Sequence, residues 1–290
     1  MNDRKMHVIK MAHHLFINKG FQATSIQDIL EESGISKGTF YNYFPSKNEL
    51  LIAIIKTLHA NMEKERDELL IGQDPTDIDI FVKQVELQLK TNRANKLIYL
   101  FEEMYFSNDD ELKQFIQKGH LKIIHWLYQR FIDLFGENKK AYFLDLAIMF
   151  KGILQQNLKY NALLNEANKS SIYEVVHYSV NRLVKLVDDL ATTKEQLLSP
   201  ALLENLFPEY HNKHAFQQEV AASILELKKN LHQTDQQEKY NELLDFIHQE
   251  LVQAKVPRKF LIKSVILSLK SEEELFSKDE LLKLEQFFAL

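Results

Sequence analysis

The chain has 290 residues, 45% of them hydrophobic and 27% charged, a balance that excludes wholesale disorder and leaves length for two or three compact units. It contains no cysteine, which excludes disulfide frameworks, cysteine-bearing zinc sites and thiol nucleophiles, and fits a reducing, cytoplasmic location. The net charge of −5 argues against a uniformly basic nucleic-acid binder, and the absence of any apolar run long enough to span a bilayer argues against a membrane partner.

Seven glycines, five prolines and a persistent 3.6-residue apolar period predict an all-α protein. A first helix is expected over Arg4–Lys19, ended by Gly20 in the left-handed region, with Phe21 folding back on Phe16. Thr24-Ser25-Ile26-Gln27 reads as a capping box opening a second helix, which Gly34 ends by the same grammar with Ile35 covering Leu30. Ser36 caps a short helix, Lys37–Phe44; Pro45 stops it, and Ser46 with Glu49 opens a fourth that runs to about Leu70. Further helices are expected over Asp77–Lys90, Arg93–Phe106, Asp109–Phe135, Lys139–Leu164 and Ile172–Leu190, with breaks at Thr91-Asn92, Ser107-Asn108 and Asn168-Lys169-Ser170. Ala191–Tyr210 reads as a partly helical linker, and four more helices follow near Asn212–Leu231, Asp235–Ala254, Pro257–Leu269 and Lys278–Phe288.

The chemistry concentrates in residues 24–44, two helices joined by the turn Glu32-Ser33-Gly34-Ile35: a helix-turn-helix by length and turn chemistry. Phe40 and Phe44 are four apart and anchor the second of these helices inward. The opposite surface then carries Lys37, Gly38, Thr39, Tyr41, Asn42 and Tyr43, and no acidic residue occurs from Gly34 to Asn48. A cation, short hydrogen-bonding groups and phenol hydroxyls suit DNA, and the capped helix starts at Thr24, Ser25 and Ser36 offer N–H groups to phosphates. Lys47, at the start of the fourth helix, is placed to reach the adjacent backbone.

The run from Thr24 to Leu30, then Ser33-Gly34-Ile35-Ser36-Lys37-Gly38-Thr39-Phe40-Tyr41-Asn42-Tyr43-Phe44 and Ser46-Lys47-Asn48-Glu49-Leu50-Leu51, resembles the DNA-binding domain of the tetracycline-repressor (TetR/AcrR) family over about Val8–Leu51. Ser33 stands where that family usually has alanine, and Tyr43 where histidine is frequent. The resemblance implies a non-enzymatic, homodimeric transcriptional regulator, most often a repressor, that binds an inverted-repeat operator in double-stranded DNA and is released by a small-molecule effector. Carried over by position, Thr24, Ser25, Ser36, Tyr41, Tyr43 and Lys47 would contact phosphates, and Lys37, Gly38, Thr39 and Asn42 would face bases.

The corresponding domain plan is a DNA-binding domain over 1–46, a helical ligand-binding and dimerisation domain over 47–190, a linker over 191–210 and a C-terminal helical extension over 211–290. Aromatic residues are dense between 99 and 150, and Tyr99, His120, Trp126 and Gln155 are candidates to line an effector site between bundle helices. Leu144, Ile148, Leu183, Leu186 and Leu190 are candidates for the dimer interface. No metal or other cofactor is expected: His13 and His14 point to different helix faces, His120 and His125 align poorly, and His211 with His214 lacks a third ligand nearby. Two rival readings remain, a regulator governed by a protein partner through the C-terminal extension and a helical enzyme. Against the enzyme stands the absence of any nucleophile–base–oxyanion set.

Overall fold

The structure is a computed structural model and describes residues 3–105, 109–164, 171–229, 231, 236–252, 257–272 and 275–289. All regular structure among the described residues is helical. In chain order the α-helices are α1 (Asp3–Lys19), α2 (Ile26–Ser33), α3 (Lys37–Tyr43), α4 (Lys47–Glu68), α5 (Ile78–Ala94), α6 (Leu97–Tyr105), α7 (Asp110–Phe135), α8 (Phe143–Leu164), α9 (Ile172–Thr193), α10 (Ala201–Leu206), α11 (Pro208–Lys229), α12 (Gln237–Val252), α13 (Lys259–Lys270) and α14 (Lys278–Ala289). A 3-10 helix, Glu137–Tyr142, precedes α8.

The helix ends follow their local chemistry. Gly20 (φ 91°) closes α1 with its N–H on the Phe16 carbonyl at 3.1 Å, and Phe21 packs edge-on against Phe16 at 5.1 Å. The box that opens α2 is Ser25 with Asp28, one residue later than Thr24 with Gln27: the Ser25 hydroxyl accepts from Asp28 N–H, and the Asp28 carboxylate takes the Ser25 N–H. A carboxylate competes better for that N–H than the Gln27 amide, which instead bonds Glu31. The expected break at Thr91-Asn92 falls at Asn95-Lys96, because helical hydrogen bonding persists until Lys96 turns left-handed (φ 46°). The helix expected from Lys139 begins as the 3-10 turn and becomes α-helical at Phe143. α11 starts at Pro208, where a missing N–H costs nothing. The expected breaks at Ser107-Asn108 and Asn168-Lys169-Ser170 lie outside the described residues.

The chain divides into two compact units. The first comprises Met1–Arg66, Val82–Tyr128 and Ala147–Leu186. Its main core joins Val8, Ala12 and Phe16 of α1, Ile29 of α2, Phe40 of α3 and Leu50, Leu51, Ile54 and Ile55 of α4 to Leu97, Leu100, Met104, Leu112 and Ile116 of α6 and α7. The three short helices thus share one apolar interior with α4, and that burial fixes the outward face of α3.

The second unit comprises Asp67–Phe81, Gln129–Leu146 and Val187–Leu290. There Phe81, Phe135 and Phe143 each pack against Phe131 with ring centroids about 6 Å apart. The buried Arg130 guanidinium pairs with Asp133 at 2.9 Å and donates to the Pro75 carbonyl at 3.0 Å. α11 to α14 close a four-helix core of their own around Val220, Ile224, Leu227, Tyr240, Leu244, Ile247, Ile262, Ile266 and Leu284. Two further contacts tie this C-terminal part to earlier residues of the same unit. The Asp145 carboxylate accepts the Leu197 and Leu198 N–H groups at 2.7 and 3.0 Å. The Lys228 ammonium lies over Gly72 while pairing with Asp245 at 2.7 Å.

Candidate nucleic-acid interface

α2, the Gly34 turn (φ 65°) and α3 form the helix-turn-helix. Ser36 caps α3, accepting from Thr39 N–H at 3.2 Å and sharing a 2.9 Å hydroxyl contact with Thr39. Phe40 and Phe44 are buried, so α3 is seated by its aromatic side. The opposite side holds Lys37, Gly38 and Asn42 exposed, Tyr41 42% exposed, and Thr39 and Tyr43 half-buried. The Tyr41 ring is held edge-on against Phe40 at 5.3 Å. A Cβ built on Gly38 would find nothing nearer than Ser36 Oγ at 4.0 Å, so nothing among the described residues requires glycine there. At the start of α2, Ser25 is exposed. Hydrogen bonds from Lys19 and from Ser25 hold the Asp28 carboxyl far below the usual carboxylate range. The acid of the capping box is therefore neutralised locally and does not face the acid-free surface of α3 as a bare charge.

Two residues expected at phosphates make hydrogen bonds within the chain. Thr24 is 0% exposed, and its hydroxyl donates to the Gly20 carbonyl at 2.7 Å, closing the turn after α1. Lys47 turns its ammonium back onto main-chain carbonyls of the segment between α1 and α2. Both residues open or close a turn, and that local demand is invisible in a pattern of residue types.

The residues expected around an effector differ in burial. Tyr99 on α6 and Gln155 on α8 are exposed; on α7, Trp126 is half-buried and His120 is exposed. Six residues separate the last two, which places them on different helix faces. Partial desolvation, then the nearby Lys151, lowers the His120 imidazole below its ordinary value. The polar interior lies instead along α4 and α5: the Arg66 guanidinium stacks on Trp126 at 4.0 Å and reaches Gln88 at 3.3 Å, and the buried Gln84 donates to the Arg66 carbonyl at 3.0 Å. Arg66 and Gln84 carried no signal in the sequence beyond being polar residues at inward helical positions. Of the residues expected at a dimer interface, Leu144 and Leu183 are buried in their own chain, Leu186 and Leu190 are half-buried, and Ile148 is exposed. The side chains of His211 and His214 lie outside the described residues.

An exposed, acid-free recognition helix seated by an aromatic face on a three-helix core defines a helix-turn-helix DNA-binding protein. Residues 8–54 match the family described as bacterial regulatory proteins, tetR family. Over 274 residues the chain is 30% identical to the HTH-type transcriptional regulator YerO of Bacillus subtilis (strain 168), covering 93% of this chain and 90% of that protein. It is also 25% identical to the HTH-type transcriptional regulator YuxN of the same organism over 98% of this chain and 97% of that one. A shorter match, 39% over 57 residues, relates 20% of the chain to 26% of the HTH-type transcriptional regulator EthR of Mycolicibacterium smegmatis. No solved structure gives a significant match. The chain belongs to the TetR family and is a DNA-binding transcriptional regulator. Among the described residues no helix is long and apolar enough to cross a membrane.

Proposed function

We propose that the protein is a homodimeric repressor that reads an inverted-repeat operator through α3 and leaves it when a small molecule binds among the helices that follow α4. The exposed surface of α3 carries the reading. Lys37, Gly38, Thr39 and Asn42 are presented for bases, and Ser25, Ser36, Tyr41 and Tyr43 for phosphates, from a helix too short to discriminate more than a few base pairs alone. Two copies related by a two-fold axis solve that problem when their recognition helices lie about 34–36 Å apart, or a multiple of that. The exposed apolar side chains Ile148, Met149, Tyr160, Leu163 and Leu164 of α8, with Tyr173 and Tyr178 of α9, support α8 and α9 as the self-association face. The polar interior around Arg66, Gln84 and Gln88 supports an effector site beside Trp126, and α4 supplies about 28 Å of helix from Arg66 back to its first turn, where the DNA-binding segment ends.

Selection of duplexes from a random-sequence pool tests the reading. An inverted repeat should emerge, and Lys37→Ala should either flatten log K against log salt by about 0.9 unit, as for a phosphate contact, or relax selection at one base position, as for a base contact. A variant equal to wild type in affinity, slope and selectivity would remove α3 from the interface. A compound that quenches Trp126 and lowers operator affinity would identify the effector. By linkage the operator must then weaken that compound's binding by the same factor.

A further inference from the structure

We propose that the outward face of α13 docks an acidic amphipathic helix of a partner protein. The proposal is independent of the operator and effector readings, and it gives the C-terminal helices a role that neither of them supplies.

α13 turns Ile262, Ile266 and Leu269 into the core of α11 to α14, and all three are fully buried. Its other side is apolar as well: Phe260 is 89% exposed, Leu267 56% and Leu261 47%. Phe260 and Leu267 are seven residues apart, so they share a face and stand about 10 Å apart along the helix. Ser264 lies between them and donates its hydroxyl to the Phe260 carbonyl at 2.9 Å, which leaves a low saddle between two larger side chains. An i, i+4, i+7 stripe of this kind is what one helix offers to another. The charge beside it is one-sided. No acidic residue occurs between Glu250 and Glu272, although the whole chain has a net charge of −5. Arg258 is taken up by Glu250 at 2.6 Å and Lys270 by Glu285 at 2.7 Å. Lys259 and Lys263 are exposed, four residues apart along one edge of the apolar face, and have no ion-pair partner among the described residues. These features select among occupants. A second α13 brings no acid to the two lysines, and seating α13 on an acidic face elsewhere in a second copy makes a head-to-tail contact that does not close in pairs. Anionic bilayers are held by clusters of about four to eight cations, more than this face presents. A helix with an apolar stripe for Phe260 and Leu267, and Asp or Glu along the adjoining edge, satisfies both the burial and the charge, and the one-sided cations fix its direction.

The full-length protein and a displayed pool of random peptides, about five helical turns long, provide the test. Retained peptides should share apolar residues at helical spacing and carry Asp or Glu along one edge. Phe260→Ser combined with Leu267→Ser should weaken them about tenfold or more, since both side chains lie at the centre of the contact. Lys259→Glu combined with Lys263→Glu leaves the apolar stripe untouched and should also weaken them about tenfold. Exchanging the peptide's acids for lysine should restore binding to that charge-reversed variant and abolish it in the wild type. All four substitutions fall at exposed positions, so melting temperature and duplex binding should stay at wild-type values. Retention of no peptide, of peptides without acids, or of peptides held equally by both variants would overturn the proposal. So would co-sedimentation of the wild type with phosphatidylglycerol vesicles that Phe260→Ser abolishes, which assigns the face to a bilayer. A wild-type mass that falls on Phe260→Ser would assign it to a second copy and overturn the proposal equally. None of these outcomes touches the DNA-binding reading, which is followed separately through the duplex.

Discussion

Replacing Gly38 by alanine adds one methyl group at a position where, among the described residues and apart from its chain neighbours and its own helix backbone, no atom lies closer than Ser36 Oγ at 4.0 Å. Alanine is the better helix former by up to about 1 kcal/mol, so the substitution should raise the melting temperature slightly. If α3 enters the major groove, the same methyl group stands where a base edge or phosphate approaches, and affinity for the selected duplex should fall about tenfold or more. Stability and affinity measured on one protein sample would therefore move in opposite directions, whereas an increase or no change in affinity would place Gly38 away from DNA. At this scale much of the site was legible, because Phe40 and Phe44 four residues apart dictate which side of α3 faces outward. The inward-turned roles of Thr24 and Lys47 were not: both depend on carbonyl groups exposed by a turn, and backbone acceptors leave no trace in residue identity.

On α12, His248 is buried among the C-terminal helices, and its Nδ1 has no hydrogen-bond partner among the described residues. Burial pushes the imidazole down to about 4, opposed by Asp245 and reinforced by Lys228. The sign follows: between the ordinary histidine value of about 6.5 and this lowered one, the unfolded chain takes up a proton that the folded chain refuses. Stability contributed by the neutral ring is thus complete above about pH 6.5 and is lost as pH falls towards 4, by at most about 3 kcal/mol. Amide exchange in α11 and α12, corrected for intrinsic rates, should accelerate between pH 7 and 5 in the wild type. His248→Leu should show a markedly smaller change, and equal acceleration in both would assign the effect to another group. Helix existence and order were readable from apolar periodicity, but the end of α5 was not. Thr91 and Asn92 look like a break, yet such residues are tolerated in a helix, and the chain turns only where Lys96 takes a positive φ.

For the whole molecule, the exposed apolar side chains of α8 and α9 give the clearest expectation. Leu163→Arg combined with Ile148→Arg changes two residues that are 58% and 43% exposed, so the folded chain should tolerate both. In a self-association face they would set like charges against each other and leave them desolvated. Sedimentation should then report half the wild-type mass at micromolar concentration, with loss of cooperative binding to an inverted repeat. A variant of unchanged mass would move the interface elsewhere. The sequence suggested these helices but mixed outward with inward positions, since Leu144 and Leu183 share the apolar character of Ile148 and only packing separates them. The division into two units was hidden for a related reason: α4, α5, α7, α8 and α9 each contribute residues to both, and an uninterrupted helical period carries no mark where its neighbours change.

The bonds from Leu197 and Leu198 to Asp145 bear on how mutations in the gene would behave. A stop codon near position 191 deletes the donors that satisfy a nearly buried carboxylate in the first turn of α8, together with Lys228 over Gly72. The shortened product would keep every residue of the reading head yet carry an unsatisfied charge where the Leu197 and Leu198 donors had stood. In a genetic screen such alleles would score as complete loss of the regulator through proteolysis, and not as repressors locked on their operator. On the effector-released reading proposed above, variants unable to respond should come instead from single substitutions that leave the last third of the chain in place.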